Sequence, residues 1–309
     1  MAYQKIKVAA PATIANMVCG FDVLGMALNA PKDIMEISHS DSPGLRIHHT
    51  DSYGLPEAPE KNVAGAALLA LMAELPENTG FDLTVNKCIM PGSGLGSSAA
   101  SSAGAVVAAN HLLGNPFSND ELVRFAMHGE KLASGVKHAD NIAPCIMGGV
   151  TLIRSILPLD IIRLSAPPLY VTVIHPQIEV KTSDARQILR KEVPLKNAIK
   201  QWGNIAGLVA GLMKGDYSLI GRSLEDVIIE PVRSILIPGF DQVKSRCREA
   251  GALGGGISGS GPSIFMLNEK ESTALEVEKI MKDIYETLGI DYRIYVTTMN
   301  SEGVQVLED

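Results

Sequence analysis

Between residues 91 and 100 the chain reads Pro91-Gly92-Ser93-Gly94-Leu95-Gly96-Ser97-Ser98-Ala99-Ala100, and no Asp, Glu, Lys or Arg appears from there until Asp120. A glycine-rich turn that runs straight into an uncharged Ala/Ser/Val helix is suited to hold phosphate. Glycines let backbone N–H groups approach an anion closely, and the first turn of the helix aims its unbonded N–H groups and positive dipole end at the same point. Ser97 and Ser98 add hydroxyls where a magnesium–triphosphate would lie. The common phosphate loop is excluded, because G-x-x-x-x-G-K-[ST] needs a lysine and none falls between Lys87 and Lys131. A helix entry of small residues selected for tight packing is the alternative reading of the same pattern.

A net charge of −7 over 309 residues argues against a nucleic-acid or membrane surface as the main partner. An anionic nucleotide must then be held by local dipoles and a cation. The four cysteines (Cys19, Cys88, Cys145, Cys247) form no C-x-x-C pair and no zinc spacing, which favours reduced thiols in a cytoplasmic protein. The first residues lack the apolar core of a signal peptide, and the long uncharged stretch 88–119 is too rich in Gly, Ser and Asn for a membrane span.

Periodicity predicts strands over 6–10, 23–28, 34–38, 81–85, 150–153, 169–174, 263–267 and 292–297. It predicts helices over 62–74, 99–113, 183–191, 198–213, 240–250 and 273–288, and a further helix capped by Ser118-Asn119-Asp120-Glu121 and running to about 133. Residues 41–59 read as a polar loop and 158–168 as a crossover. The mix gives an α+β fold with two domains, 1–157 and 158–309. A second glycine cluster, 254–261, matches G-x-G-x-x-G but lacks the context of a dinucleotide fingerprint, since a helix is expected before it and a strand after it. A connecting turn and a binding turn both remain compatible with it.

The run P-x-x-x-G-L-G-S-S-A-A resembles the phosphate loop of the GHMP kinases, and Ser101-Ser102-Ala103-Gly104 is similar to their homoserine kinase branch. Pro11-Ala12-Thr13-Ile14-Ala15-Asn16 with Gly20-Phe21-Asp22-Val23-Leu24-Gly25 resembles that branch's amino-terminal motif. Lys137-His138-Ala139-Asp140-Asn141, Thr182-Ser183-Asp184-Ala185-Arg186, Glu230-Pro231-Val232-Arg233 and Ile257-Ser258-Gly259-Ser260-Gly261-Pro262-Ser263 follow in its order. Ile14 replaces a Ser common in the branch, and Met17-Val18-Cys19 replaces a small or Pro-containing stretch.

The resemblance implies an S5-like amino-terminal domain that binds nucleotide, a ferredoxin-like carboxy-terminal domain, and a homodimer. It implies ATP and Mg2+, with transfer of the γ-phosphoryl group to the side-chain hydroxyl of L-homoserine in threonine biosynthesis. The nucleotide would be held by residues 91–101 (Pro91, Gly92, Ser93, Gly94, Leu95, Gly96, Ser97, Ser98, Ala99, Ala100 and Ser101), with Asn62 and Lys87 beside them. An Asn before a helix also serves as a cap, and a lone Lys as a surface ion pair. Ser98 and Glu130 would hold the metal, and Asn16, Asp22, His138, Asn141, Arg186, Arg233 and Gly259 the amino acid, with Gly259 presenting its N–H. Arg suits a carboxylate through its planar fork, and Asp22 offers a negative group to the ammonium or the hydroxyl.

Asn141, Glu130 and Ser98 would be the catalytic set. The transfer is expected to be in-line and without a strong base, because a loose phosphoryl-transfer transition state asks mainly for positioning and charge stabilisation. Asp140 is the carboxylate that could contest this. A sister small-molecule kinase, such as one acting on shikimate or an isoprenoid precursor, and a catalytically silent binder on the same fold stay open beside the homoserine reading.

Overall fold

The structure is a computed structural model that describes residues 4–180 and 182–307; the opening residues 1–3 lie outside it, as do the side chains of residues 181–184. The chain begins with β1 (Lys5–Ala15) and β2 (Leu24–His39), antiparallel neighbours. β2 joins two of the expected strands into one. Its first residues pair with β5 (Val150–Ile156) and its last with β4 (Gly80–Asn86), so the exposed middle residues separate two hydrogen-bonding neighbours and not two strands.

The expected loop 41–59 contains β3 (Gly44–His49), a parallel partner of β4 at the sheet edge. The expected crossover contains β6 (Leu159–Leu164), which pairs back onto β5. The last strand, β11 (Gln305–Leu307), returns to β1. The first sheet therefore takes in residues on both sides of the expected division at 157.

Packed against this sheet are α1 (Val63–Met72), α2 (Ser97–Leu112), α3 (Asn119–Ser134) and the short α4 (Ile142–Met147). α2 is central. Every residue in it except Ser98 and His111 is buried, which explains its small, uncharged composition and its lack of an apolar stripe. α3 opens with the expected cap, which takes the form of a capping box in which Ser118 and Glu121 satisfy each other's backbone N–H groups.

The second sheet is antiparallel, in the order β10 (Tyr292–Thr298), β7 (Tyr170–Pro176), β9 (Ile264–Asn268), β8 (Gly254–Ile257). Its period-2 alternation serves two cores. Val171, Val173, Phe265 and Leu267 face the large core shared with the first sheet, whereas Ile174, Ile264 and Met266 face a smaller one built with α9 (Phe240–Glu249) and α10 (Glu271–Leu288). Between β7 and α9 run α5 (Thr182–Gln187), α6 (Leu195–Lys214), α7 (Tyr217–Ser223) and α8 (Glu230–Arg233). The arrangement is an α+β fold. Among the described residues no helix is long and apolar enough to cross a membrane.

Residues 254–257, expected as part of a turn, form strand β8. A Cβ on Gly255 would lie 1.9 Å from the carbonyl oxygen of Phe265, so the neighbouring strand approaches too closely for any side chain there. The helix expected before the cluster is α9, and β8 stands between it and the 258–261 turn. The element after it is a strand as expected, and no helix start is presented to a dinucleotide.

Candidate functional site

The start of α2 opens into a cleft of about 370 Å³ lined by both glycine turns, α3 and the arginines of α5 and α8. Gly92, Gly94 and Gly96 hold φ values of 76°, 80° and 66°, the left-handed region that other residues enter only at a cost. Gly96 is the N-cap of α2, and no side chain caps the helix. The first N–H groups therefore face the cleft as an anion site.

The second glycine turn supports the first. Ser258 Oγ donates to the Gly94 carbonyl at 2.7 Å, the Ser263 N–H donates to the Ser93 carbonyl at 3.3 Å, and a Cβ on Gly94 would strike the Ser258 carbonyl at 2.6 Å. Gly259 and Ser260 reach the cleft wall. The Gly259 N–H, expected to face substrate, instead donates to the Ala15 carbonyl, while its own carbonyl accepts from Asn16 Nδ2 at 2.9 Å and from Arg233 at 3.0 Å. Gly259 is thus an internal hub that ties the amino-terminal loop to α8.

Lys87 lines the cleft, as expected, but its charge is already partnered. Its ammonium is buried, paired with Asp33, and donates to the Ser97 carbonyl at 3.0 Å and to Ser101 Oγ at 2.7 Å. The other Asp33 oxygen accepts from the Cys88 and Ile89 N–H groups. This buried pair braces the phosphate loop from beneath. Asp33 escaped the sequence reading, although it shares the inward period of Met35 and Ile37 on β2, and a carboxylate there requires a buried cation.

Asn62 is a helix cap: its side chain accepts from the Ala64 and Gly65 N–H groups and donates to the Pro56 carbonyl. It lies outside the cleft lining. Ser93, Leu95, Ala99 and Ala100 are buried behind the loop, whereas Pro91, Gly92, Gly94, Gly96, Ser97, Ser98 and Ser101 line the cleft.

Ser98, half-buried in the first turn of α2, donates to Glu130 Oε2 at 2.9 Å. Burial raises the Glu130 carboxyl above its usual range, and Ser98 and Ser134 partly offset this. Two hard oxygen donors, one on a carboxylate short of positive partners, suit a magnesium ion beside the anion site. Deeper in the cleft Asn141 Oδ1 accepts from Thr13 Oγ at 2.7 Å, which leaves the Asn141 amide N–H groups to face the cleft. Thr13, a residue the sequence reading did not single out, thus sets the direction of Asn141. Asp140, 4 % exposed, has its carboxyl pushed up to about 7, first by burial and then by the charges of Asp22 and Glu130.

The far wall is ionic. Arg186 Nη2 donates to Asp22 Oδ1 at 3.1 Å and to His138 Nε2 at 2.7 Å; His138 Nδ1 lies 3.7 Å from Asp22. Burial depresses His138, so the neutral ring accepts from Arg186 and turns its Nδ1–H toward Asp22. Arg233 is buried, donates to the Ala185 and Gly259 carbonyls, and is brought down to about 10 by burial and by the charge of Arg186.

The loop that carries Asn16 and Asp22 is strained. Asn16, Met17, Val18 and Asp22 all have positive φ, and Asn16 Oδ1 holds the Asp22 N–H at 3.0 Å. Ile14 is wholly buried in the core, so its departure from the family pattern does not reach the cleft. Cys19 is buried, its thiol pushed up to about 12, and therefore inert.

Residues 62–149 match the family model of the GHMP kinases N terminal domain, and residues 208–287 that of the GHMP kinases C terminal. A homoserine kinase of Chloroherpeton thalassium is 45% identical over 312 residues, covering 96% of this chain and 98% of its own. One from Pyrococcus furiosus is 42% identical over 94% of this chain and 97% of its own. The crystal structure of homoserine kinase from Cytophaga hutchinsonii superposes with a TM-score of 0.95 at 48% identity, covering 99% of this chain and 98% of that one. With both family models matched in order and full-length relatives at this identity, the chain belongs to the homoserine kinases of the GHMP kinase family.

Proposed function

We propose that the protein transfers the γ-phosphoryl group of ATP to the side-chain hydroxyl of L-homoserine, giving ADP and O-phospho-L-homoserine for threonine biosynthesis. The observation that carries this reading is one cleft in which an uncapped helix start with Ser98–Glu130 faces the Asp22–Arg186 ion pair. The first end suits a triphosphate. The second suits a zwitterion: an amino acid can replace the pocket's own ion pair with two new ones, its ammonium on Asp22 and its carboxylate on Arg186 and Arg233. Shikimate, which has no ammonium, would draw Arg186 from Asp22 without supplying a cation in its place, leaving Asp22 only the His138 ring, and the energetic cost of that discriminates against it.

When magnesium is bound, Ser98 and Glu130 would hold it, and it would screen charge on the triphosphate. The chain's own groups do the remaining work. The Ser93 and Leu95 N–H groups are used within the loop, so those of Gly92, Gly94, Gly96, Ser97 and Ser98 receive phosphate oxygens, and the Lys87–Asp33 brace keeps them in place. Asn16, Asp22 and the arginines orient the amino acid, and the Asn141 amide donates toward the acceptor oxygen, so that positioning and fixed dipoles supply the catalysis. In this reading no strong general base takes part.

A second reading is favoured by Asp140, whose carboxyl is half ionised near neutrality and is therefore matched to accept a proton there. A cytoplasmic location is part of the proposal, as is a homodimer, for which the exposed Leu195, Ile199, Trp202 and Met213 of α6 offer apolar surface. Within the subunit, the first sheet and its helices would carry the nucleotide (residues 1–157, extended by β6 and β11), and the remainder would complete the acceptor side.

The deciding experiment measures ADP release with MgATP and, in turn, L-homoserine, shikimate, mevalonate, galactose and no acceptor. Turnover with homoserine alone is expected. Turnover with another acceptor would retain the kinase and discard the acceptor assignment, and nucleotide binding without turnover would point to a silent binder.

A further inference from the structure

Phe21 belongs to the strained 16–22 loop and lines the acceptor end of the cleft, yet neither the ion pairing nor the hydrogen bonding described above uses it. Its ring centroid lies 5.0 Å from the guanidinium carbon of Arg233 and 5.7 Å from that of Arg186. Both distances fall within the range in which the negative face of an aromatic ring attracts a cation.

The two guanidiniums come from separate elements, α5 and α8, and the charge of Arg186 acts against that of Arg233. Arg233 is tethered by the Ala185 and Gly259 carbonyls, whereas Arg186 is held by a partly exposed ion pair that the incoming ammonium would disrupt. After that exchange, the ring of Phe21 is the contact that both arginines retain in common.

We propose that Phe21 is a positioning and specificity-determining residue: its ring is a shared cation–π platform that fixes the spacing of Arg186 and Arg233 and so makes the site selective for acceptors that carry a carboxylate. This inference rests on the acceptor assignment above. The ring does not touch the reacting atoms, so its loss acts on carboxylate recognition and not on phosphoryl transfer itself. A ring that only filled space would be replaceable by any apolar side chain of similar volume.

The test compares wild type, Phe21→Leu, and a chain with trifluorophenylalanine incorporated at position 21, which keeps the ring's shape and weakens its negative face. Each is assayed with L-homoserine and with aminopropanol, the same acceptor without its carboxylate. Both variants are expected to raise KM for homoserine about tenfold or more, with a smaller change in kcat, and to lower the preference for homoserine over aminopropanol by a similar factor. The fluorinated ring is the decisive variant if Phe21→Leu does not fold. An unchanged homoserine KM in the fluorinated chain, or equal losses on both acceptors, would overturn the platform. Failure of the wild type to turn over homoserine would overturn the acceptor assignment instead, so the two failures are distinguishable.

Discussion

The two walls of the cleft bind charge by opposite means. On the donor wall the backbone does the binding: three glycines with positive φ, an uncapped helix and a fixed lysine beneath, with side chains largely turned away. On the acceptor wall the side chains do it, and residues other than glycine are forced into positive φ to present them. A phosphate needs only convergent N–H groups, which glycine supplies at no steric cost. An amino acid must be distinguished from other small molecules, which requires placed charges and therefore strain that the rest of the fold must compensate.

On that contrast, the largest loss should come from the donor-side carboxylate that would meet the metal. Glu130→Gln is expected to lower kcat about a thousandfold, because its oxygen would serve the metal that screens the transferring group, and to leave the KM for homoserine within about threefold. Steady-state kinetics at saturating MgATP check this. A comparable rise in homoserine KM would mean that the two walls are not separable.

Next come the glycines. A Cβ at Gly96 would sit 2.0 Å from Thr13 Oγ and would break the bond that orients Asn141, in addition to the cost of its positive φ. Gly96→Ala should destabilise the fold by about 3 kcal/mol in denaturant titrations and abolish most activity. Gly92→Ala, where a Cβ meets nothing within 4 Å, should cost only the backbone term of about 1–2 kcal/mol. Equal costs would show that conformation alone, and not close packing, sets the loop. On the acceptor wall Arg233→Ala should raise the homoserine KM about a hundredfold and Arg186→Ala about tenfold, since Arg233 is buried and Arg186 already shares a screened pair.

The same contrast decides what the sequence disclosed. Glycine spacing and an uncharged helix announce a backbone anion site, and the motif residues Asn16, Asp22, His138, Arg186 and Arg233 do converge on one cleft. What stayed hidden depends on tertiary partners. Asp33 looks like a strand-end carboxylate until β4 brings Lys87 to it. Gly259 looks like a donor until Ala15 takes its N–H. β8 reads as a turn because its glycines answer to the closeness of Phe265, a contact distant in sequence, and β3 and β6 are short edge strands whose polar outer faces blur the period. Asn62 shows the converse, a residue whose ordinary role as a cap is the role it plays, whereas Lys87, readable as a surface ion pair, forms a buried one.

Asp140 stands where the two walls meet, and the smallest predicted effect on rate carries a distinct signature in stability. Its carboxyl takes up a proton on folding, because it is raised from 3.8 to about 7 by burial and by Asp22 and Glu130. Between those values the folded state binds more protons than the unfolded chain. The stabilising contribution is therefore complete below pH 4 and is lost as pH rises through 7. Asp140→Asn removes this dependence, so the variant should gain on wild type by up to roughly 4 kcal/mol as denaturation is followed from pH 4 to 8. Its kcat should fall less than about threefold if positioning and fixed dipoles carry the transfer. A hundredfold loss, together with disappearance of a rate inflection near pH 7, would assign the proton to Asp140 and make the meeting point of the walls, not the donor wall, the centre of the chemistry.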